Sequence, residues 1–239
     1  MLSIFKKEVA GFLNSLIAYI VIGVFLTSIG LLMWVFPQTN VLDYGYADME
    51  TLFSFGPYVF MFLIPAITMR SFAEEKKSGT IELLLTRPVT DLKIILGKYL
   101  AGFFLVLFAL IPTLVSSYSL YKLGNPEGNL DTAGIVGSYV GLLLLGGVFT
   151  SVGIFASALT ENQIVSFILA VFLCFLLYNG FDSLSGLDGW GGWIEKLGIV
   201  YHYNAMSRGL LDSRDLLYFI SVIIVMILLT KLILSSRKW

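Results

Sequence analysis

Six long apolar runs, separated by polar stretches, set the pattern of this chain. They cover about residues 16–36, 52–69, 99–121, 135–159, 164–178 and 216–234. Charged residues are nearly absent from them, and most approach or exceed the ~20 apolar residues that a helix needs to cross a bilayer. The pattern predicts an all-α polytopic membrane protein, in which residues 1–239 form a single transmembrane domain with six spanning helices.

Residues 1–15 have a different pattern. Their apolar side chains recur at helical spacing: Leu2, Phe5, Val9, Phe12 and Leu13. Lys6, Lys7 and Glu8 fall on the other faces, which predicts an amphipathic helix in the membrane interface before the first span. A cleaved signal peptide is the alternative, but the apolar run that follows is too long for one and no small-residue cleavage site follows it.

Lysine and arginine are concentrated in the polar stretch at residues 70–98. It contains six of them: Arg70, Lys76, Lys77, Arg87, Lys93 and Lys98. With six crossings, eleven basic residues of the chain fall on the side of this stretch and four on the other. Because Lys and Arg are retained on the side of synthesis, this stretch and both termini are predicted to lie in the cytoplasm, with the chain in the inner membrane.

The middle of this stretch has the pattern of a short amphipathic helix. Ser78-Gly79-Thr80 can cap its start, Glu82 lies in its first turn, and Pro88 ends it. Its apolar residues are Ile81, Leu83, Leu84 and Leu85. A second helix restarts at Thr90-Asp91 and continues toward the next span. A helix of two turns is not stable alone in water, so it needs a partner surface.

Composition excludes several classes of protein. With 57% hydrophobic and only 13% charged residues, the chain is not a soluble globular domain. It contains no phosphate-binding loop, so it does not supply its own ATPase. His202 is the only histidine and is predicted outside, which argues against zinc or serine–histidine chemistry in the membrane. The spans also lack the carboxylates of an ion-coupled carrier. We therefore expect no catalytic, cofactor-binding or metal-binding residues.

The run from Glu74 to Val89, EEKKSGTIELLLTRPV, resembles the cytoplasmic signature of the type-2 exporter class of ABC-transporter permeases. In that class the corresponding stretch forms a coupling helix seated on the ATP-binding subunit, so we call residues 70–98 the coupling loop. The resemblance implies these ATPase-coupling residues: Glu74, Glu75, Gly79, Thr80, Ile81, Glu82, Leu83, Leu84, Leu85, Arg87 and Pro88. The alternative is an interfacial helix that its leucines and lysines hold on lipid headgroups.

Residues 179–215 form a second long polar stretch. The number of spans that precede it and its excess of acidic over basic residues predict that it lies outside. It mixes glycines with aromatic residues, including Trp190, Trp193, Tyr201 and Tyr203. This mixture is typical of short helices at the membrane boundary before the sixth span. Two interpretations remain: an aromatic belt that only anchors the protein, or an external gate. The residues that lead into the sixth span also resemble a subset of type-2 permeases: Arg208, Gly209, Asp212, Arg214 and Asp215.

Gly137 and Gly141 form a G-x-x-x-G pattern in the fourth span. Small residues at this spacing let helix backbones approach closely, so they predict either packing within the bundle or a weak subunit contact.

The resemblance covers nearly the whole chain and is strongest to permeases of the gliding-motility-associated ABC transporters. It implies an ABC ATP-binding subunit that holds ATP and magnesium, and a second permease copy or a distinct membrane subunit with a large external domain. We expect contact with membrane lipid and none with nucleic acid. The sequence does not identify a substrate. The competing function is a membrane scaffold that anchors a cytoplasmic ATPase or another partner and transports nothing.

Overall fold

The computed structural model describes residues 1–43, 47–81, 89–186, 191–209 and 212–236, and over these ranges the regular secondary structure is helical. In chain order the helices are α1 (Leu2–Leu13), α2 (Leu16–Trp34), α3 (Glu50–Thr68), α4 (Arg70–Lys77), α5 (Asp91–Leu110), α6 (Thr113–Leu123), α7 (Thr132–Leu159), α8 (Gln163–Phe175), a π-helical turn (Leu176–Gly180), α9 (Phe181–Ser185), α10 (Gly191–Glu195), α11 (Ile199–Ser207) and α12 (Ser213–Ser235).

Six helical segments in the described ranges are long and apolar enough to cross a membrane. They are Leu16–Trp34, Glu50–Lys77, Asp91–Leu123, Thr132–Leu159, Gln163–Ser185 and Ser213–Ser235. The prediction of a six-span, all-α membrane protein is therefore confirmed. One boundary differs from the sequence pattern: the second segment continues past residue 69 as α4, so the coupling loop begins with a helix that the pattern did not predict.

The prolines in the spans have different effects. Pro57 and Pro65 lie inside α3, which is continuous through both of them. The helical break comes after Thr68, where Met69 separates α3 from α4. In the third span Pro112 lies in the two-residue gap between α5 and α6. Proline lacks the backbone N–H that an uninterrupted helix needs at this position.

Helix α7 is the centre of the bundle. Of its 28 residues, 18 are buried, and it packs on α3, α4, α5, α8, α11 and α12. Close approach depends on its small residues: a Cβ atom at Gly153 would lie 1.9 Å from Oγ1 of Thr68 on α3. Glycine removes that clash and lets the two backbones pack tightly.

Gly137 and Gly141 also lie on α7, and both are buried inside the chain. A Cβ atom at Gly137 would lie 2.3 Å from the carbonyl oxygen of Met206 on α11, and one at Gly141 would lie 3.3 Å from the ring of Tyr203. Helix α11 of the same chain therefore covers this G-x-x-x-G face, which agrees with packing within the bundle. The weak subunit contact stays a prediction.

Candidate functional site

The coupling loop is attached to the bundle through α4, and the start of α4 is held by Ser157 of α7. The backbone N–H groups of Phe72 and Ala73 donate to Ser157 Oγ at 2.9 and 3.0 Å, and the same hydroxyl donates to the carbonyl of Met69 at 2.9 Å. A helix start leaves N–H groups without intrahelical partners. Ser157 is fully buried, so water cannot replace it, and it supplies the cap from another helix.

Lys98 of α5 lies in the interior beside α4, with only 2% of its side chain exposed. Its Nζ donates to Glu8 Oε1 of α1 at 2.8 Å and to the Ser71 carbonyl at 2.7 Å, and it lies 3.0 Å from Glu75 Oε1. The ammonium group thus donates two hydrogen bonds, to Glu8 and to the Ser71 carbonyl, and forms an ion pair with Glu75. We call Lys98, Glu8, Glu75 and the Ser71 carbonyl the Lys98 cluster. It joins α1, α4 and α5 at one point.

A second lysine and an aromatic ring complete this environment. Lys7 Nζ lies 3.5 Å from Glu75 Oε1, although its own side chain is 67% exposed. The Phe72 ring centroid lies 5.1 Å from Lys98 Nζ, within the range of a cation–π contact. Two ammonium groups thus balance the two carboxylates of Glu8 and Glu75. The electrostatic balance holds only while α1 and α4 remain together.

The end of α4 is also fixed to α7. Lys76 Nζ donates to the carbonyl of Ala158. Gly79 follows with φ of 69°, a left-handed conformation in which glycine has no Cβ penalty, and its N–H donates to the Lys76 carbonyl. Gly79 therefore ends α4. The next helix begins at Thr80, as the capping pattern predicted.

Ile81 is the last described residue of this new helix, and it is buried within the permease. It packs in a cluster with Phe72, Ile94, Ile95 and Tyr99. Its side chain therefore attaches the coupling loop to the chain itself. Its predicted place among the ATPase-coupling residues stays a prediction.

The other predicted coupling residues divide into two groups. Glu74 is solvent-exposed on α4, 4.0 Å from Arg70, whereas Glu75 is turned inward to Lys98. Glu82, Leu83, Leu84, Leu85, Arg87 and Pro88 lie outside the described residues. Their docking role stays a prediction.

Lys98, Glu8 and Ser157 were not among the functional residues predicted from the sequence. Helical spacing gave a signal for Lys98: Ile94, Ile95 and Tyr99 share its buried face, so an inward-pointing lysine required a carboxylate partner. Nothing in the spacing identified Glu8 as that partner, because the two residues are 90 positions apart. Ser157 had no signal beyond its place in a helix rich in small residues.

The predicted residues before the sixth span serve several structural purposes. Asp215 Oδ1 lies 2.6 Å from His202 Nδ1, which joins α12 to α11. Asp212 caps α12, because its carboxylate accepts a hydrogen bond from the backbone N–H of Arg214. This hydrogen bond lowers the pKa of the Asp212 carboxyl group. Gly209 adopts φ of 78° where the chain passes the start of α7, and the side chain of Arg214 is exposed. Arg208 lines a cavity at this end of the bundle.

Tyr203 does not have the position of an interfacial anchor. It is 3% exposed, and its hydroxyl donates to the Phe53 carbonyl of α3 at 2.7 Å. Burial raises the pKa of this hydroxyl above its usual range. Trp193, in contrast, is 80% exposed, as an aromatic belt requires. Trp190 lies outside the described residues.

The contacts around the coupling loop join helices to one another. In the described part of the chain, no group of three or more His, Cys, Asp and Glu side chains is placed to hold a metal ion. Lys98 pairs with Glu8 and Glu75, and together with the hydrogen bonds of Ser157 and Lys76 these contacts fix the relative positions of α1, α4, α5 and α7.

Two comparisons with known proteins bear on the identity of the chain. A family model described as "ABC-2 family transporter protein" matches residues 6–177, a range that contains most of α1, the Lys98 cluster, the coupling loop and most of the first five spans. A comparison with curated proteins gives no match.

Proposed function

Because the chain belongs to the ABC-2 transporter family, we propose that it is the permease subunit of an exporter whose coupling loop sits on the ATP-binding subunit. Membership makes the chain a multi-pass permease component of an ABC transporter, a class that works with a separate ATP-binding subunit. What we propose beyond family membership is that the transporter is an exporter and that the coupling loop contacts the ATP-binding subunit. In this proposal the partner subunit holds ATP and magnesium.

The observation that carries the proposal is the Lys98 cluster. Lys98 is nearly fully buried, and its partners Glu8, Glu75 and the Ser71 carbonyl belong to α1 and α4. Separating a buried pair so that one charge is left without a partner costs roughly 3–5 kcal/mol. When α4 is displaced, α1 and α5 are therefore expected to move with it, because breaking the cluster costs more.

A second route connects α4 to the centre of the bundle. Ser157 caps the start of α4, and the Ala158 carbonyl accepts from Lys76 near its end. Both acceptors belong to the last residues of α7. When the ATP-binding subunits close, a displacement of α4 is expected to tilt α7 relative to α3. Such a rigid-body movement changes which side of the permease is open.

The sequence supports finer proposals. The concentration of basic residues on the side of the coupling loop supports an inner-membrane location with both termini in the cytoplasm. The resemblance of the coupling loop and of the residues before the sixth span supports a link to gliding motility. It also supports assembly with a second permease copy or with a distinct membrane subunit that has a large external domain.

Reconstitution with the ATP-binding subunit tests the coupling role. The permease, Lys98→Met and Lys93→Met are each incorporated into vesicles at matched levels, and ATP hydrolysis is measured with and without permease. Lys93 is an exposed residue of the same helix, so it is the matched control. We expect wild type and Lys93→Met to change the hydrolysis rate equally and Lys98→Met to lose most of that effect.

The same measurement separates a transporter from a scaffold. A scaffold would bind the ATP-binding subunit and leave its hydrolysis rate unchanged in all three preparations. That result would contradict the proposed coupling. Equal activity of wild type and Lys98→Met, with both above the level without permease, would support a transporter but exclude the Lys98 cluster as the transmitting element.

A further inference from the structure

A cavity of about 630 Å³ opens at the end of the bundle opposite the coupling loop. It lies between the starts of α3 and α7, the end of the fifth span and α11. Four carboxylates and one basic residue line it: Asp48, Glu50, Asp131, Asp182 and Arg208. Within the described residues, none of these carboxylates forms an ion pair. Asp48 and Asp131 each accept one backbone N–H, and with Arg208 as the one basic residue the lining keeps an excess of negative charge.

Aromatic rings form part of the wall of this cavity. Tyr58 and Tyr178 meet edge to face with centroids 5.8 Å apart, and Tyr178 and Tyr203 have centroids 6.4 Å apart. Phe53 also lines the cavity. The faces of aromatic rings carry partial negative charge and attract cations. The aromatic rings and the carboxylates therefore both favour a positively charged ligand.

Tyr178 gives an independent indication of a ligand. It lies in the π-helical turn at the end of the fifth span, a type of irregularity that is frequent at functional sites. Its side chain is only 5% exposed, yet its hydroxyl has no hydrogen-bond partner among the described residues. Its neighbour Tyr203 does have one, the Phe53 carbonyl. Tyr178 lines the cavity, where a ligand with a polar group can supply a hydrogen-bond partner to its hydroxyl.

We propose that this cavity binds an organic ammonium ion that also carries a hydrogen-bonding group. The ammonium group lies among the carboxylates and the aromatic faces, and the hydrogen-bonding group meets the Tyr178 hydroxyl. The volume is in the range of sites for small organic molecules. A bare metal ion fits less well, because the described residues contain no group of three or more His, Cys, Asp and Glu side chains placed to hold one. The ammonium group can belong to a free molecule or to a lipid headgroup.

Binding of choline to the purified full chain in maltoside detergent tests the proposal, with calorimetry as the measurement. The comparison ligand is 3,3-dimethylbutan-1-ol, which has the same shape and hydroxyl group without the charge. We expect choline to bind at least about fivefold more tightly than this neutral compound, because cation–π and carboxylate contacts need the charge. Equal affinity of the two compounds, or no binding of choline, would overturn the proposal.

Two conservative variants place the binding in this cavity. Tyr178→Phe keeps the ring and removes the hydroxyl, and Asp182→Asn keeps the shape and removes a charge. Each is expected to weaken choline binding roughly three- to fivefold. The controls are Tyr201→Phe and Asp43→Asn, whose side chains are exposed outside the cavity lining. Thermal unfolding of every variant confirms that it is folded, and an unchanged affinity in both cavity variants would contradict the assignment.

Nanodiscs distinguish the two sources of the ammonium group. The chain is placed in phosphatidylcholine or in phosphatidylglycerol nanodiscs, and choline binding is measured again. A lipid headgroup in the cavity competes with choline only in the phosphatidylcholine discs. Equal binding in both kinds of disc identifies a free ammonium compound as the ligand. Absence of binding in phosphatidylglycerol discs, where no headgroup ammonium competes, would contradict the site.

Discussion

Lys98 and Glu75 lie 3.0 Å apart, between the first helix of the third span and the helix that opens the coupling loop. The pair is almost excluded from solvent, with 2% of the lysine side chain and 15% of the glutamate side chain exposed. An exposed pair of this kind contributes little, but a buried one is costly to separate. The contact therefore holds the coupling loop and the third span in one fixed relation.

The Lys98 cluster is expected to be essential for stability. Lys98→Met leaves Glu8 and Glu75 facing each other without their shared cation, and we expect a loss of roughly 3–5 kcal/mol in the free energy of unfolding. Thermal unfolding in detergent measures it. Lys93→Met on the exposed face of the same helix should change stability by no more than about 0.5 kcal/mol. Equal stability of the two variants would show that the cluster is not formed.

The cap on α4 depends on the Ser157 hydroxyl. Ser157→Ala leaves the N–H groups of Phe72 and Ala73 buried without acceptors, at roughly 1–3 kcal/mol for each group. We expect faster hydrogen exchange of these two amides together with a lower unfolding temperature. Ser221→Ala is the control, since its hydroxyl is exposed and bonds only within its own helix. Unchanged protection of the two amides in Ser157→Ala would exclude the cap.

Close packing of α7 on α3 depends on Gly153. Gly153→Ala places a methyl group against Thr68 Oγ1 and Cβ, and overpacking of this kind costs typically about 1–3 kcal/mol. We expect a lower unfolding temperature. Gly23→Ala, at a position of α2 with no atom near the new methyl group, should be neutral or slightly stabilising. If both substitutions behave alike, the close contact between α7 and α3 is absent.

Docking of the ATP-binding subunit is predicted to depend on Leu84, a residue outside the described ranges. Leu84→Asp would bury an unpaired charge in the partner's groove and weaken docking by several kcal/mol. Glu82→Lys, which changes a solvated charge, should have an effect of about 0–1 kcal/mol. Co-purification at matched membrane levels measures both. Retention of the partner and normal hydrolysis with Leu84→Asp would favour an interfacial helix on lipid.

The predicted topology can be tested by thiol labelling in intact cells. Glu127→Cys should react with an impermeant reagent from outside, whereas Lys77→Cys should not, because the coupling loop is predicted in the cytoplasm. Both residues are exposed, and the native Cys174 is buried, so the background should be low. Labelling of Lys77→Cys in intact cells would show that the coupling loop lies outside, and would contradict the predicted orientation.

The sequence by itself determined the number of spans, because the length and apolarity of each run are local properties that the bilayer selects. It also determined the start of the helix at Thr80, since helix caps involve residues within a few positions of each other. The resemblance to type-2 permeases rested on a continuous string of residues, and the family match agrees with it at the level of the family.

Only the tertiary structure decided where the isolated polar residues lie. Lys98 and Glu8 are 90 positions apart, and Ser157 is 85 positions from the amide of Phe72. No periodicity relates such residues, because their contacts depend on the packing of whole helices. The same reason applies to Ile81 and Gly137, whose close neighbours in the described structure belong to other elements of the same chain.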